Sequence, residues 1–112
     1  MKQRSIKIKG KRLQNFVREK ILKNFPHLKK KDVVCVENGI QGPDIILSKV
    51  GMKLCPFQFE IKNQEKLKGI YGWYRQANKN IPKGLTPVVV CKRNAQDPLV
   101  IIDFKTFLEL IK

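Results

Sequence analysis

The sequence predicts one α/β domain in which a mixed sheet carries helices packed against it. Three stretches predict it. Leu13, Phe16, Val17, Ile21 and Phe25 recur at helical spacing. Phe57-Gln58-Phe59-Glu60-Ile61-Lys62 alternates as a strand does. Val88-Val89-Val90-Cys91 is an unbroken apolar run, the pattern of a central strand covered on both faces. A chain of 112 residues, 42% hydrophobic, has room for one domain with its own core.

Residues 1–10, with Lys2, Arg4, Lys7 and Lys9, are expected to form a basic arm that phosphate would order. The domain proper then spans 11–112. Its first helix runs from Lys11 to Phe25, with Arg12, Asn15, Glu19 and Lys23 opposite the apolar face, and Pro26 stops it. A basic turn from Lys29 to Lys31 leads into a strand over Val33–Val36. Asn38-Gly39 and Gly42-Pro43 break the chain before a second strand, Asp44–Ser48. Val50–Leu54 is a connector, and Pro56 opens the alternating strand, with Phe57, Phe59 and Ile61 on one face and Gln58, Glu60 and Lys62 on the other. A second helix is expected from about Glu65 to Asn80, burying Leu67, Ile70, Tyr74 and Ala77. The apolar strand follows Pro87. A turn from Lys92 to Pro98, a strand over Leu99–Ile102 and a short helix bearing Phe104, Phe107, Leu108 and Ile111 on one face complete the order α-β-β-β-α-β-β-α.

Charge sets the class of partner. Lys and Arg number 24 against 9 Asp and Glu, a formal net charge of +15. Such an excess repels itself in a compact fold, so a polyanion is the expected partner, and nucleic acid leads because phosphate contacts release condensed counterions. An anionic membrane is the weaker candidate: no apolar run approaches the ~20 residues of a membrane-spanning helix, and no signal or lipidation motif is present. Cys35, Cys55 and Cys91 form no CxxC pair, and His27 alone cannot complete a zinc site with them. Cys35 and Cys91 read as buried, reduced core residues, and the expected compartment is cytoplasmic.

Hydrolysis of a phosphodiester needs a divalent cation to neutralise the phosphate and a water aimed at phosphorus. Mg²⁺ takes oxygen ligands, commonly one or two protein carboxylates. A nearby lysine can orient the water and offset developing charge. Asp44, Glu60 and Lys62 provide this set. Glu60 and Lys62, two apart on a strand, share a face, and Asp44 opens the neighbouring strand after a Gly-Pro turn. Asp44 and Glu60 are the expected Mg²⁺ ligands (Mn²⁺ substituting), with the Ile61 carbonyl as a further oxygen. The plainer alternatives are a cross-strand ion pair for Glu60 and Lys62 and a turn role for Asp44.

Gly42-Pro43-Asp44 followed by Glu60-Ile61-Lys62 and a helix resembles the PD-(D/E)XK nuclease superfamily. Gly10-Lys11-Arg12-Leu13-Gln14, Glu60 through Leu67, and Lys92-Arg93-Asn94 narrow the likeness to small phage-type PDDEXK endonucleases. A more distant resemblance is to archaeal Holliday junction resolvases. The resemblance implies a restriction-endonuclease-like mixed central sheet flanked by helices, and metal-dependent DNA cleavage in the host cytoplasm. Those resolvases place a metal-site Glu four residues after a Gly. Counting from Gly10, this chain has Gln14 there, which can orient a water but adds no charge. Related nucleases often carry a polar residue on the second helix, where Gln76 stands.

Arg12, Lys92 and Arg93 are candidate DNA-phosphate contacts. Trp73, Tyr71 and Tyr74 are candidates either for base stacking or for core and dimer packing. One active site per chain would make a two-fold homodimer the simplest way to cut both strands, with Trp73 and the exposed side of the second helix as interface candidates. Within the enzyme class the substrate alternatives are a branched junction, a homing or restriction-type site, and a nick. The small size favours reading of backbone and shape. The alternative from another class is a non-catalytic basic nucleic-acid-binding protein.

Overall fold

The computed structural model describes residues 2–37 and 40–112, with side chains from Lys7 onward. Helix α1 (Lys2–Asn24) is followed by a 3-10 turn (Lys30–Asp32) and strands β1 (Val33–Cys35) and β2 (Ile45–Leu47). Then come α2 (Lys49–Leu54), β3 (Phe57–Asn63), α3 (Ile70–Ala77), β4 (Thr86–Lys92), β5 (Leu99–Ile101) and α4 (Phe104–Leu110). Strands β1 and β2 pair antiparallel, while β3, β4 and β5 form a mixed sheet in that order, parallel then antiparallel. The chain is an α/β fold, and among the described residues no helix is long and apolar enough to cross a membrane. The Asn38-Gly39 break lies outside the described residues.

Two cores lie on opposite faces of the β3–β4 pair. Leu13, Val17 and Ile21 of α1 pack with Val33, Ile45, Leu47 and Val90, and Phe57, Phe59 and Ile61 press against this cluster. Beneath α3, Ala77, Val89 and Cys91 pack with Trp73 and Tyr74. The β4 run thus alternates between layers, Val90 towards α1 and Val89 and Cys91 towards α3, as an apolar strand covered on both sides must. The expected burial of Phe16 does not occur: it is 43% exposed, beside the Lys20 ammonium, which sits 5.3 Å from its ring. Cys91 is buried, but Cys35 is only half-buried.

Four expectations about elements change. The arm expected over residues 1–10 is helical from Lys2, not from Lys11. Once the packed segment from Leu13 onward has nucleated the helix, each added residue costs little, and the single Gly10 costs only about 1 kcal/mol. The second helix is shorter than the expected 65–80, because Gly69 enters it in the left-handed conformation (φ 75°) and no regular turn precedes it. The connector after β2 is itself a helix, α2, capped where the Ser48 hydroxyl accepts the Gly51 N–H at 3.0 Å. Finally, the expected single sheet is divided between β2 and β3.

The turns are pinned by polar side chains. Asp32 is buried and accepts the Lys29 N–H at 2.7 Å and the Ser48 hydroxyl at 2.7 Å. These bonds, that to Lys29 foremost, hold its carboxyl below the usual range. Arg18 reaches from α1 to the Val33 carbonyl (2.5 Å) and the Lys30 carbonyl (2.9 Å). Here α2 approaches the 3-10 turn so closely that a Cβ on Gly51 would stand 2.8 Å from the Asp32 carbonyl oxygen. Gly51→Ala should therefore destabilise the protein by about 1–3 kcal/mol. Gly10→Ala, where a Cβ meets nothing within 4 Å, should stabilise it by about 0.5–1 kcal/mol. Urea unfolding of the two variants checks the pair; equal midpoints would contradict the close contact.

Candidate active site

Strand β3 carries the centre of the site. Its polar face, Gln58, Glu60 and Lys62, turns towards the α3 layer, yet Gln58 and Glu60 are 6% and 3% exposed, less than their apolar neighbours. Gln58 is explained locally: its side-chain amide donates to the Ala77 carbonyl at 2.8 Å and the Lys79 carbonyl at 3.3 Å, closing the C-terminal end of α3. Glu60 has no such structural duty. Its carboxylate meets the Lys62 ammonium at 3.3 Å, with the lysine side chain 22% exposed.

Asp44 comes to the same place from the chain entering β2. Its N–H approaches the Phe59 carbonyl at 3.4 Å, and its carboxylate Oδ2 accepts the Ile61 N–H at 2.6 Å. An antiparallel ladder would have a backbone carbonyl at that second position. The side chain takes it instead, which leaves the carboxylate at the β3 edge. Backbone N–H and C=O of one strand residue point to the same side, so the Ile61 carbonyl faces Asp44 too.

The environment opposes charge on both acids. Burial, then the charge of Asp44, raise Glu60 to about 7 against the pull of Lys62. Burial also raises Asp44, while the Ile61 N–H and then Lys62 draw it down. One buried and one half-buried carboxylate with one lysine are under-neutralised, and a hard cation held by oxygen would relieve them. Among the described residues no three His, Cys, Asp or Glu side chains form a metal-holding group. The donor set is two carboxylates and a carbonyl, which suits Mg²⁺ and leaves most of its shell to water.

Gln14 is 6% exposed on α1 and donates its amide to the Val36 carbonyl (2.7 Å) and the Asp44 carbonyl (2.6 Å). Its amide nitrogen thus positions the Asp44 backbone. Arg12 and Lys92 line a cleft of about 530 Å³ together with Lys9 and Asn63, between α1 and the turn after β4. Arg93 is exposed beside it. Gln76 is exposed on α3, with no bond to the acids. Trp73, an interface candidate, is half-buried over the Val89–Cys91 core; Tyr74 donates its hydroxyl to the Pro87 carbonyl at 3.1 Å, and Tyr71 is 81% exposed. His27 and Glu19 are exposed.

Two placements were not foreseen from sequence. Lys9, expected only as part of a basic arm, lies three residues before Arg12, hence on the same helix face, a signal hidden by taking 1–10 as an arm. Asn63 donates to the Lys9 carbonyl at 3.2 Å, joining the end of β3 to α1, and nothing in its local sequence announces this. No protein-family model, curated protein or solved structure matches the chain.

The raised Glu60 gives a pH signature with divalent ions chelated. Folding favours its protonated form, so wild-type stability is retained below the ordinary value of 4.5 and falls as pH rises towards about 7. Glu60→Gln escapes this loss. Its stability advantage should grow from near zero at about pH 5 to on the order of 1–3 kcal/mol at about pH 8, read from urea midpoints. An advantage that shrinks as pH rises would refute the assignment.

Proposed function

We propose that the chain is a metal-dependent DNA endonuclease of the PD-(D/E)XK type, hydrolysing phosphodiester bonds. The observation that carries this reading is the convergence of Asp44, Glu60 and Lys62 across the β2–β3 seam. An ion pair on a solvated strand would not need a second, half-buried carboxylate beside it. The order of strands β1–β2 beside β3–β4, with α1 and α3 on opposite faces, fits a restriction-endonuclease-like core.

In this reading Asp44, Glu60 and the Ile61 carbonyl hold Mg²⁺ (or Mn²⁺). The cation would neutralise the phosphate and lower the cost of deprotonating water. Lys62 then orients the attacking water and offsets charge developing on the phosphate oxygens. Asp44 stays aimed because its Oδ2 is held by the Ile61 N–H and its own carbonyl by Gln14. Lys9, Arg12, Lys92 and Arg93 seat the DNA backbone near the acids. A chain this small has little room for a separate sequence-reading element, which favours a structure-directed substrate such as a Holliday junction over a defined sequence.

The test is cleavage of supercoiled plasmid and of a four-way junction with Mg²⁺. Wild type should cut. Glu60→Gln should retain DNA binding and lose at least 10²-fold in rate, a loss of roughly 3 kcal/mol of transition-state stabilisation. Symmetric cutting of the junction alone would identify a resolvase. Binding without cutting by either protein would overturn the nuclease reading in favour of a non-catalytic binder.

A further inference from the structure

Helix α4 belongs to neither core cluster. Phe104, Phe107, Leu108 and Ile111, at helical spacing on one face, are 72%, 44%, 46% and 63% exposed. On the edge strand just before it Leu99 and Val100 are 61% and 60% exposed, but as strand neighbours they turn to opposite faces, so one of them at most extends this face. At side-chain areas of roughly 150–250 Å² each, the four α4 residues and one strand residue leave on the order of 400–600 Å² of apolar surface in water, towards the upper end for a monomer.

Charge decides what can cover this face. Residues 97–112 hold Lys105 and Lys112 against Asp97, Asp103 and Glu109, net −1, so residues 1–96 carry +16 and the whole chain +15. A nucleic acid has no reason to choose this face, and an anionic membrane would find too few cations on it. Two copies of so basic a protein repel one another everywhere else, but not here.

We propose that the α4 face is the interface of a two-fold homodimer, in which α4 packs antiparallel on its counterpart. The pairing is self-complementary. With the axis between Phe107 and Leu108, Phe104 of each copy meets Ile111 of the other, and Phe107 meets Leu108. The same register puts Lys112 opposite Asp103 and Lys105 within a turn of Glu109. The area also suffices. Interfaces are roughly 60% apolar and bury about 800 Å² per partner, so about 500 Å² of apolar surface is what one requires. This differs from the α3 face, whose Trp73 is spent in the core.

Sedimentation equilibrium on the full chain tests the proposal independently of any cleavage. The wild type should sediment at twice the 13.0 kDa chain mass. Phe104→Glu and Leu108→Lys should each fall to one chain mass with far-UV spectra unchanged, since neither side chain is in a core. Tyr71→Glu, on the exposed side of α3, should remain dimeric. Combining Phe104→Lys with Ile111→Glu should restore dimerisation, because each new charge faces its opposite across the axis. A monomeric wild type at about 100 μM, where an interface of this size should be populated, would overturn the proposal. So would dimers that survive both α4 substitutions or that Tyr71→Glu dissolves.

Discussion

The site depends on one hydrogen bond, from the Ile61 N–H to the Asp44 carboxylate at 2.6 Å. It puts a side-chain oxygen where a backbone carbonyl would otherwise meet the strand. A carboxylate is thereby brought to a strand edge where the Ile61 carbonyl also points. The geometry is costly to hold by one bond, and Gln14 braces it from α1 by binding the carbonyls of Val36 and Asp44. Their buried oxygens would otherwise lose water without recompense. A helix thereby sets the position of an acid thirty residues away in the chain.

Burial explains why these acids are unusual. Gln58 and Glu60 are more deeply covered than the phenylalanines that alternate with them, an inversion of the usual amphipathic strand. For Gln58 the reason is structural, since its amide satisfies carbonyls at the end of α3. For Glu60 the cover raises the cost of charge, and Lys62 offsets only part of it. A buried acid next to another acid is a poor device for stability. It is a good one for holding a cation, and the surrounding positive charge would concentrate a polyanion at the rim.

The molecule separates its charges by region. The basic residues that line the cleft, Lys9, Arg12 and Lys92, come from the start of α1 and the end of β4, and meet only because both elements border the C-terminal end of β3. The C-terminal segment is nearly neutral and apolar, and faces away from both cores. The proposed binding face and the proposed self-association face differ in charge as well as in position, so one would not compete with the other.

Much of this was legible in the residues. Period-two alternation put Glu60 and Lys62 on one strand face, since that follows from backbone geometry alone, and the apolar run Val88–Cys91 required cover on both sides. The helical face of α1 was evident for Leu13, Val17 and Ile21 but not for Phe16, because periodicity marks a direction and not where the cover ends. Only tertiary structure could decide the rest. That Asp44 meets Ile61, that Gln14 spends its amide on strand carbonyls, that Lys9 joins Arg12 and that Gly51 needs its missing Cβ are all contacts between elements distant in sequence. Local pattern determines which face a side chain occupies; the packing of one element on another determines what it meets there.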